Sequence, residues 1–346
     1  ALIPAQPADS AAKIPPRTES KSPAPTEPAK PAAAEGQVPA DLVRDLPDSP
    51  DARAHELLKL YRRPQQAFTY QMKGGKTFGL YSVHQVSFPS PLPGEFSANN
   101  TIHCEYYQCG GDSPRPAVIL LDVLDGSMMA PRLIANSLAS QGVHACIMYL
   151  PHYGPRQGQK GELEKMTDDP QVLIQSVEQA VLDIRQTARW LSGQKNVDGD
   201  RLGNCGVSLG GFIAALAAGV DTGFSKAAII MAGGDLATVL MTDSREVHLI
   251  KQRLAEMGID REKLVAMIEP IEPLTFADRL RKTDLLMVSG STDTIVPPDC
   301  ARQLAAAAGA EIKWFPADHY GMLKHLLQIL THTNNHFAAA NWKTPD

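Results

Sequence analysis

The chain has 346 residues, 43% of them hydrophobic and 21% charged, and carries a formal net charge of −5. That length holds one large domain or two small ones, and the composition suits a soluble globular protein rather than a disordered or fibrous one. Charges of both signs without a dense Lys/Arg block exclude nucleic acid as an obvious partner, and no apolar run approaches the ~20 residues of a membrane span.

Residues 1 to about 48 are rich in Pro and Ala with few aliphatic clusters, and read as a disordered tether. The first residue is Ala rather than Met, which fits either a processed mature protein or a trimmed chain, and a Pro/Ala-rich tether after a removed signal gives export a slight edge over a cytoplasmic location. From Asp51 the composition changes. Apolar residues at helical spacing over 52–61, stopped by Pro64, open a folded domain expected to run over 51–346.

Alternating stretches at Gly79–Phe88 and Thr101–Gln108 then predict an antiparallel entry to a sheet. After Pro116 come short continuous apolar runs at Ala117–Leu121, His144–Leu150, Leu202–Val207, Lys226–Met231, Asp284–Ser289 and Glu311–Phe315. Such runs fit strands covered on both faces. Helical patterns at 130–141, about 170–192, 209–218, 299–309 and 321–334 separate them. The alternation predicts an α/β fold, a mostly parallel doubly wound sheet of about eight strands. The longer stretch 235–281, broken near Gly258, is expected to form a small helical lid. Of the five cysteines, Cys104 and Cys109 lie five apart on one predicted strand, so they point to opposite faces beyond bridging distance.

Gly206-Val207-Ser208-Leu209-Gly210 sits where the run Leu202–Val207 ends and the helix from Leu209 begins. A G-x-S-x-G sequence in that strand-turn-helix context forces a sharp turn that lifts the serine hydroxyl over the sheet edge. The same turn elsewhere only caps a helix, so the context carries the meaning.

From about Gly79 to Phe337 the chain resembles the α/β-hydrolase superfamily, in its esterase, dienelactone-hydrolase and acyl-peptidase-like branches. The resemblance implies Ser208 as nucleophile, with an acid two strands later and a histidine after the last strand. A hydroxyl needs a base, and imidazole titrates in the useful range. His319 in Pro316-Ala-Asp-His-Tyr-Gly321 follows the last predicted strand and matches the base position. Asp293 in Ser289-Gly-Ser-Thr-Asp-Thr-Ile-Val-Pro-Pro298 resembles the superfamily's G-x-x-D-x-x-V-P loop and is the expected acid, with Asp235 the alternative. His325, His332 and His336, seven and four apart, lack matching Cys or acidic ligands, so no metal is assigned.

The resemblance also implies an oxyanion hole made by the backbone N–H of Leu209 and one from the loop 121–127, where Leu124 is the candidate. This loop departs from the common His-Gly-x-x-Gly turn, with Asp122-Val123 in place of His-Gly. His152, Tyr153 and Arg156, in the loop after the fourth strand, are candidate substrate contacts, and Met128 and Met129 are candidates for an acyl pocket. The expected activity is cleavage of an ester or related acyl bond of a small molecule through an acyl-serine, with no cofactor. An acyl-peptidase of the prolyl-oligopeptidase kind, an acyltransferase, and a non-catalytic binding module on the same fold are the other readings left open.

Overall fold

The computed structural model describes residues 33–158 and 169–342. Its strands are β1 (Ala33–Val38), β2 (Phe68–Lys73), β3 (Thr77–Phe78), β4 (Tyr81–Pro89), β5 (Thr101–Cys109), β6 (Arg115–Leu121), β7 (His144–Met148), β8 (Val197–Val207), β9 (Lys226–Ile230), β10 (Asp284–Gly290) and β11 (Ile312–Phe315). They form one eleven-stranded sheet in the order β1-β2-β4-β5-β7-β6-β8-β9-β10-β11, with β3 paired to β4. Pairing is antiparallel from β1 through β4 and β5 to β7, and parallel from β7 to β11. The eight strands β4 to β11 match the eight expected runs. The count rises to eleven because β1, β2 and β3 extend the antiparallel end.

That extension corrects the expected tether. Residues 33–48 belong to the fold: β1 pairs with β2 from Ala33 opposite Lys73 to Val38 opposite Phe68, and Val38 is buried. Distant arginines then hold the segment by its carbonyls. Arg189 donates to Pro39 and Leu42, Arg185 to Arg44, and Arg279 to Pro47 and Asp48, at 2.9–3.2 Å. The remainder of the expected tether, residues 1–32, lies outside the described residues.

The helices are α1 (Ala52–Leu58), α2 (Met129–Ser140), α3 (Pro170–Ser192), α4 (Leu209–Val220), α5 (Leu236–Leu240), α6 (His248–Glu256), α7 (Arg261–Ile268), α8 (Ala277–Leu280), α9 (Pro298–Ala308) and α10 (Leu326–Phe337). Side chains alternate across the sheet: Ala117, Ile119 and Leu121 of β6 join the core shared with α3, α4 and α9, while Val118 and Leu120 join the one beneath α2 and α10. Cys104 and Cys109 fall into these two different cores, and all five cysteines are free and buried.

Helix α4 is apolar all round and buried from Gly210 to Val220, so it can only be a central helix. Each of Phe212, Ile213 and Leu216 contributes roughly 1.5–3 kcal/mol by leaving water. This packing anchors the helix whose first turn carries the site. Within the expected lid, α6 and α7 are separated at Gly258, whose φ of +64° ends α6 while Ile259 N–H reaches back to Leu254 O at 2.9 Å. No described helix is long and apolar enough to cross a membrane.

Candidate active site

Ser208 stands between β8 and α4 with φ 52° and ψ −116°, a conformation that side-chain-bearing residues rarely adopt. Its N–H is fixed by Ile230 O of β9 at 2.8 Å, and its own carbonyl accepts from Phe212 N–H at 3.1 Å. The turn is tight enough that a Cβ on Gly206 would lie 1.9 Å from Gly210 O, and one on Gly210 would lie 2.6 Å from Asp122 O. Glycine at these two positions is therefore a packing requirement. It lets strand, helix and the loop after β6 meet at one point.

Two further loops converge there. Ser208 Oγ lies 3.0 Å from His319 Nε2, and His319 Nδ1 lies 2.7 Å from Asp293 Oδ2. The carboxylate is held in turn, since Asp293 Oδ1 accepts the N–H groups of Ile295 and Val296, each at 2.9 Å. With Nδ1–H donated to Asp293, Nε2 is left to accept the serine proton. His319 and Asp293 are buried, whereas Ser208 is half-buried and so stays reachable. Ser208 follows β8, Asp293 follows β10 and His319 follows β11, so the carboxyl ends of three parallel strands of the same sheet deliver all three side chains, with β9 between the first two.

The Prolyl oligopeptidase family model matches residues 175–339, which contain all three of these residues. A second model, Alpha/beta hydrolase domain containing 18, matches residues 82–232. The chain has the α/β-hydrolase fold. Acetyl xylan esterase 1 from Thermoanaerobacterium sp. JW/SL YS485 shares the fold with a TM-score of 0.62 at 18% identity, covering 84% of this chain and 96% of that one. Acylaminoacyl peptidase from Pyrococcus horikoshii does so with a TM-score of 0.60 at 13% identity, covering 82% of this chain and 48% of that one. An uncharacterized protein of Mycobacterium tuberculosis is 29% identical over 194 residues, 53% of this chain. The match spans 43% of that relative's length.

Within this fold the remaining expected residues divide. Asp235 turns away from His319: it caps α5 by accepting from Thr238 N–H and Oγ1–H, and it pairs with Arg261 at 3.1 Å. The loop after β6 is closed by Asp122, whose Oδ2 accepts Met128 N–H at 2.6 Å. Burial pushes the Asp122 carboxyl above its ordinary value. Asp122 thus closes the turn by a side-chain bond, while Met128, at φ 60°, and Gly126, at φ 65°, take the left-handed positions. Leu124 lies on this turn, and Met128 is buried while Met129 is exposed.

His152 and Arg156 are corrections. Arg156 is fully buried in an ion pair with Asp183 at 2.7 Å, and it also donates to the carbonyls of Tyr149 and Asn99. Its charge anchors the loop instead of facing a substrate. His152, also buried, has its ring against Asn99 and Ser176. Of this trio only Tyr153 stays beside the site, its ring so close over Gly126 that a Cβ there would come within 2.8 Å. Residues 159–168, which follow in sequence, lie outside the described residues.

Sequence reasoning missed Tyr320 and Glu246. The Tyr320 ring stands edge-on to the His319 ring, with centroids 6.0 Å apart, and its hydroxyl donates to Glu246 Oε1. This bond ties the segment before α6 to the histidine loop. Adjacency to His319 was the one available signal for Tyr320; nothing in the sequence marked Glu246.

Proposed function

We propose that this chain is a serine hydrolase that cleaves a carboxylic ester or related acyl bond through an acyl-Ser208 intermediate. The observation that carries the reading is the continuous chain of hydrogen bonds from Ser208 through His319 to Asp293. In this reading His319 Nε2 takes the hydroxyl proton as Ser208 Oγ bonds to the acyl carbon, and Asp293 stabilises the imidazolium. The developing oxyanion is received by the N–H of Leu209, which as the first residue of α4 has no carbonyl a turn behind it, and by that of Leu124. His319 then protonates the leaving group, and water repeats the sequence to release the acid.

Purified protein is expected to turn over short p-nitrophenyl esters, and Ser208→Ala to abolish turnover while the thermal midpoint stays within a few degrees. Equal rates above background for the two proteins would sink Ser208 as nucleophile, and no rate above background in either would favour a non-catalytic module. The Prolyl oligopeptidase match over 175–339 supports a second reading, cleavage of an acyl-peptide bond. Faster turnover of N-acyl-aminoacyl p-nitroanilides than of matched esters would favour that one.

A further inference from the structure

The side of the site formed by the histidine loop carries an aromatic ring and a fixed negative charge. Tyr320 is 65% exposed and stands edge-on to His319, so its ring lies open to solvent beside the base. Its hydroxyl donates to Glu246, which is thereby held at the same place instead of swinging free. Hydrogen bonding from Tyr320 keeps the Glu246 carboxyl below its usual value, so Glu246 is ionised throughout the neutral range. On the loop after β6 stands Asp125, exposed and oriented by the N–H of Ser127 at 2.8 Å, with its charge reaching the Tyr320 hydroxyl.

Three arginines on segments that follow the strands' carboxyl ends are committed elsewhere. Arg132 is bound to Glu105 by two hydrogen bonds, at 3.1 and 2.6 Å, Arg156 is buried against Asp183, and Arg261 is paired with Asp235. Arg245, exposed, is a cation whose charge reaches Tyr320, set against both Glu246 and Asp125. An anionic substrate group would give up hydration here against two carboxylates and one guanidinium. A cationic group meets a carboxylate and an open aromatic ring together, the combination that favours ammonium ions.

We infer that Tyr320 and Glu246 are specificity-determining residues that select acyl substrates bearing a positive charge close to the scissile bond. The inference rests on the reading of Ser208, His319 and Asp293 as the reacting set.

The test uses three p-nitrophenyl esters of similar length: 4-trimethylammoniobutanoate, its neutral tert-butyl isostere, and the anionic monoester of glutarate. At low ionic strength kcat/KM should rank cationic, neutral, anionic. Glu246→Gln should shrink the cationic-to-anionic ratio by roughly ten- to twentyfold, because one exposed charge acts on the two probes by roughly three- to fivefold in opposite senses. The change should lie mostly in KM and fade at high salt. Tyr320→Phe keeps the ring but releases Glu246, and should shrink the ratio by less.

A second arm measures equilibrium binding of phenyltrimethylammonium and benzoate to Ser208→Ala protein with and without Glu246→Gln. Preference for the cation that Glu246→Gln weakens is expected. A ratio that Glu246→Gln leaves unchanged, or preference for the anionic probe, overturns the inference. Charge-selective binding by a protein that hydrolyses none of the esters would sink the reacting set alone, and turnover without charge preference would sink this inference alone.

Discussion

At the scale of single residues, the two carboxylates considered for the acid differ in what already occupies them. Asp293 has one oxygen on His319 and the other on two backbone N–H groups, so it is oriented and still available to the imidazole. Asp235 spends its oxygens on Thr238 and Arg261. Asp293→Asn is accordingly expected to lower kcat on the order of 10⁴-fold, because an amide favours the wrong histidine tautomer. Asp235→Asn should change kcat by less than about threefold. A larger loss for Asp235→Asn, measured on the same ester, would reverse the assignment. Ser208, Asp293 and His319 were legible because each follows an apolar run that ends at one sheet edge. Arg156 was misread because burial does not show in a sequence: its partner Asp183 is 27 positions away on α3, and only folding brings the two charges together.

At the scale of elements, the parallel strands were readable because two-sided burial leaves a continuous apolar run. The N-terminal strands were not. β1 reads Ala-Ala-Glu-Gly-Gln-Val, with no alternation to mark it, and it is specified by main-chain pairing to β2. The segment after it is held by guanidinium groups of Arg185 and Arg189 on α3 and of Arg279 on α8, more than 130 residues further along. These bonds go to backbone carbonyls, so no side-chain pattern in residues 39–48 records them. β2, with Phe68, Tyr70 and Met72 on alternate positions, did carry a signal that was overlooked. A chain starting at Asp51 should therefore be less stable than one starting at Ala33, by at least about 3 kcal/mol at ~1 kcal/mol for each hydrogen bond lost. Urea unfolding of the two proteins checks this. Equal midpoints would mean that the segment adds nothing to stability.

At the scale of the whole molecule, buried histidines link stability to pH. His144 is fully buried, and its tautomer is fixed because Nδ1 accepts Cys109 N–H at 3.0 Å while Nε2 donates to Asn196 O at 2.9 Å. Protonation at Nδ1 would remove that acceptor. Burial lowers the pKa of His144 from 6.5 to about 4, and His336 is lowered to about 4 mainly for the same reason. Between those values the unfolded chain binds protons that the folded one refuses. The stability from neutral His144 is thus complete above about pH 6.5 and is lost as pH falls toward 4, a change of about 3 kcal/mol. Unfolding free energy measured from pH 7 to pH 4 should fall accordingly, and His144→Gln should flatten part of the slope. A wild-type curve level across that range would contradict the account.

Ser208, presented at the strand-helix turn of this fold and activated by His319, is the proposed nucleophile. The most direct test of this role is the reaction of the intact protein with a fluorophosphonate, followed by intact mass and peptide mapping. The account predicts one phosphonyl group per chain, attached to Ser208, and no adduct with Ser208→Ala. Labelling at another residue, or equal labelling of both proteins, would contradict it.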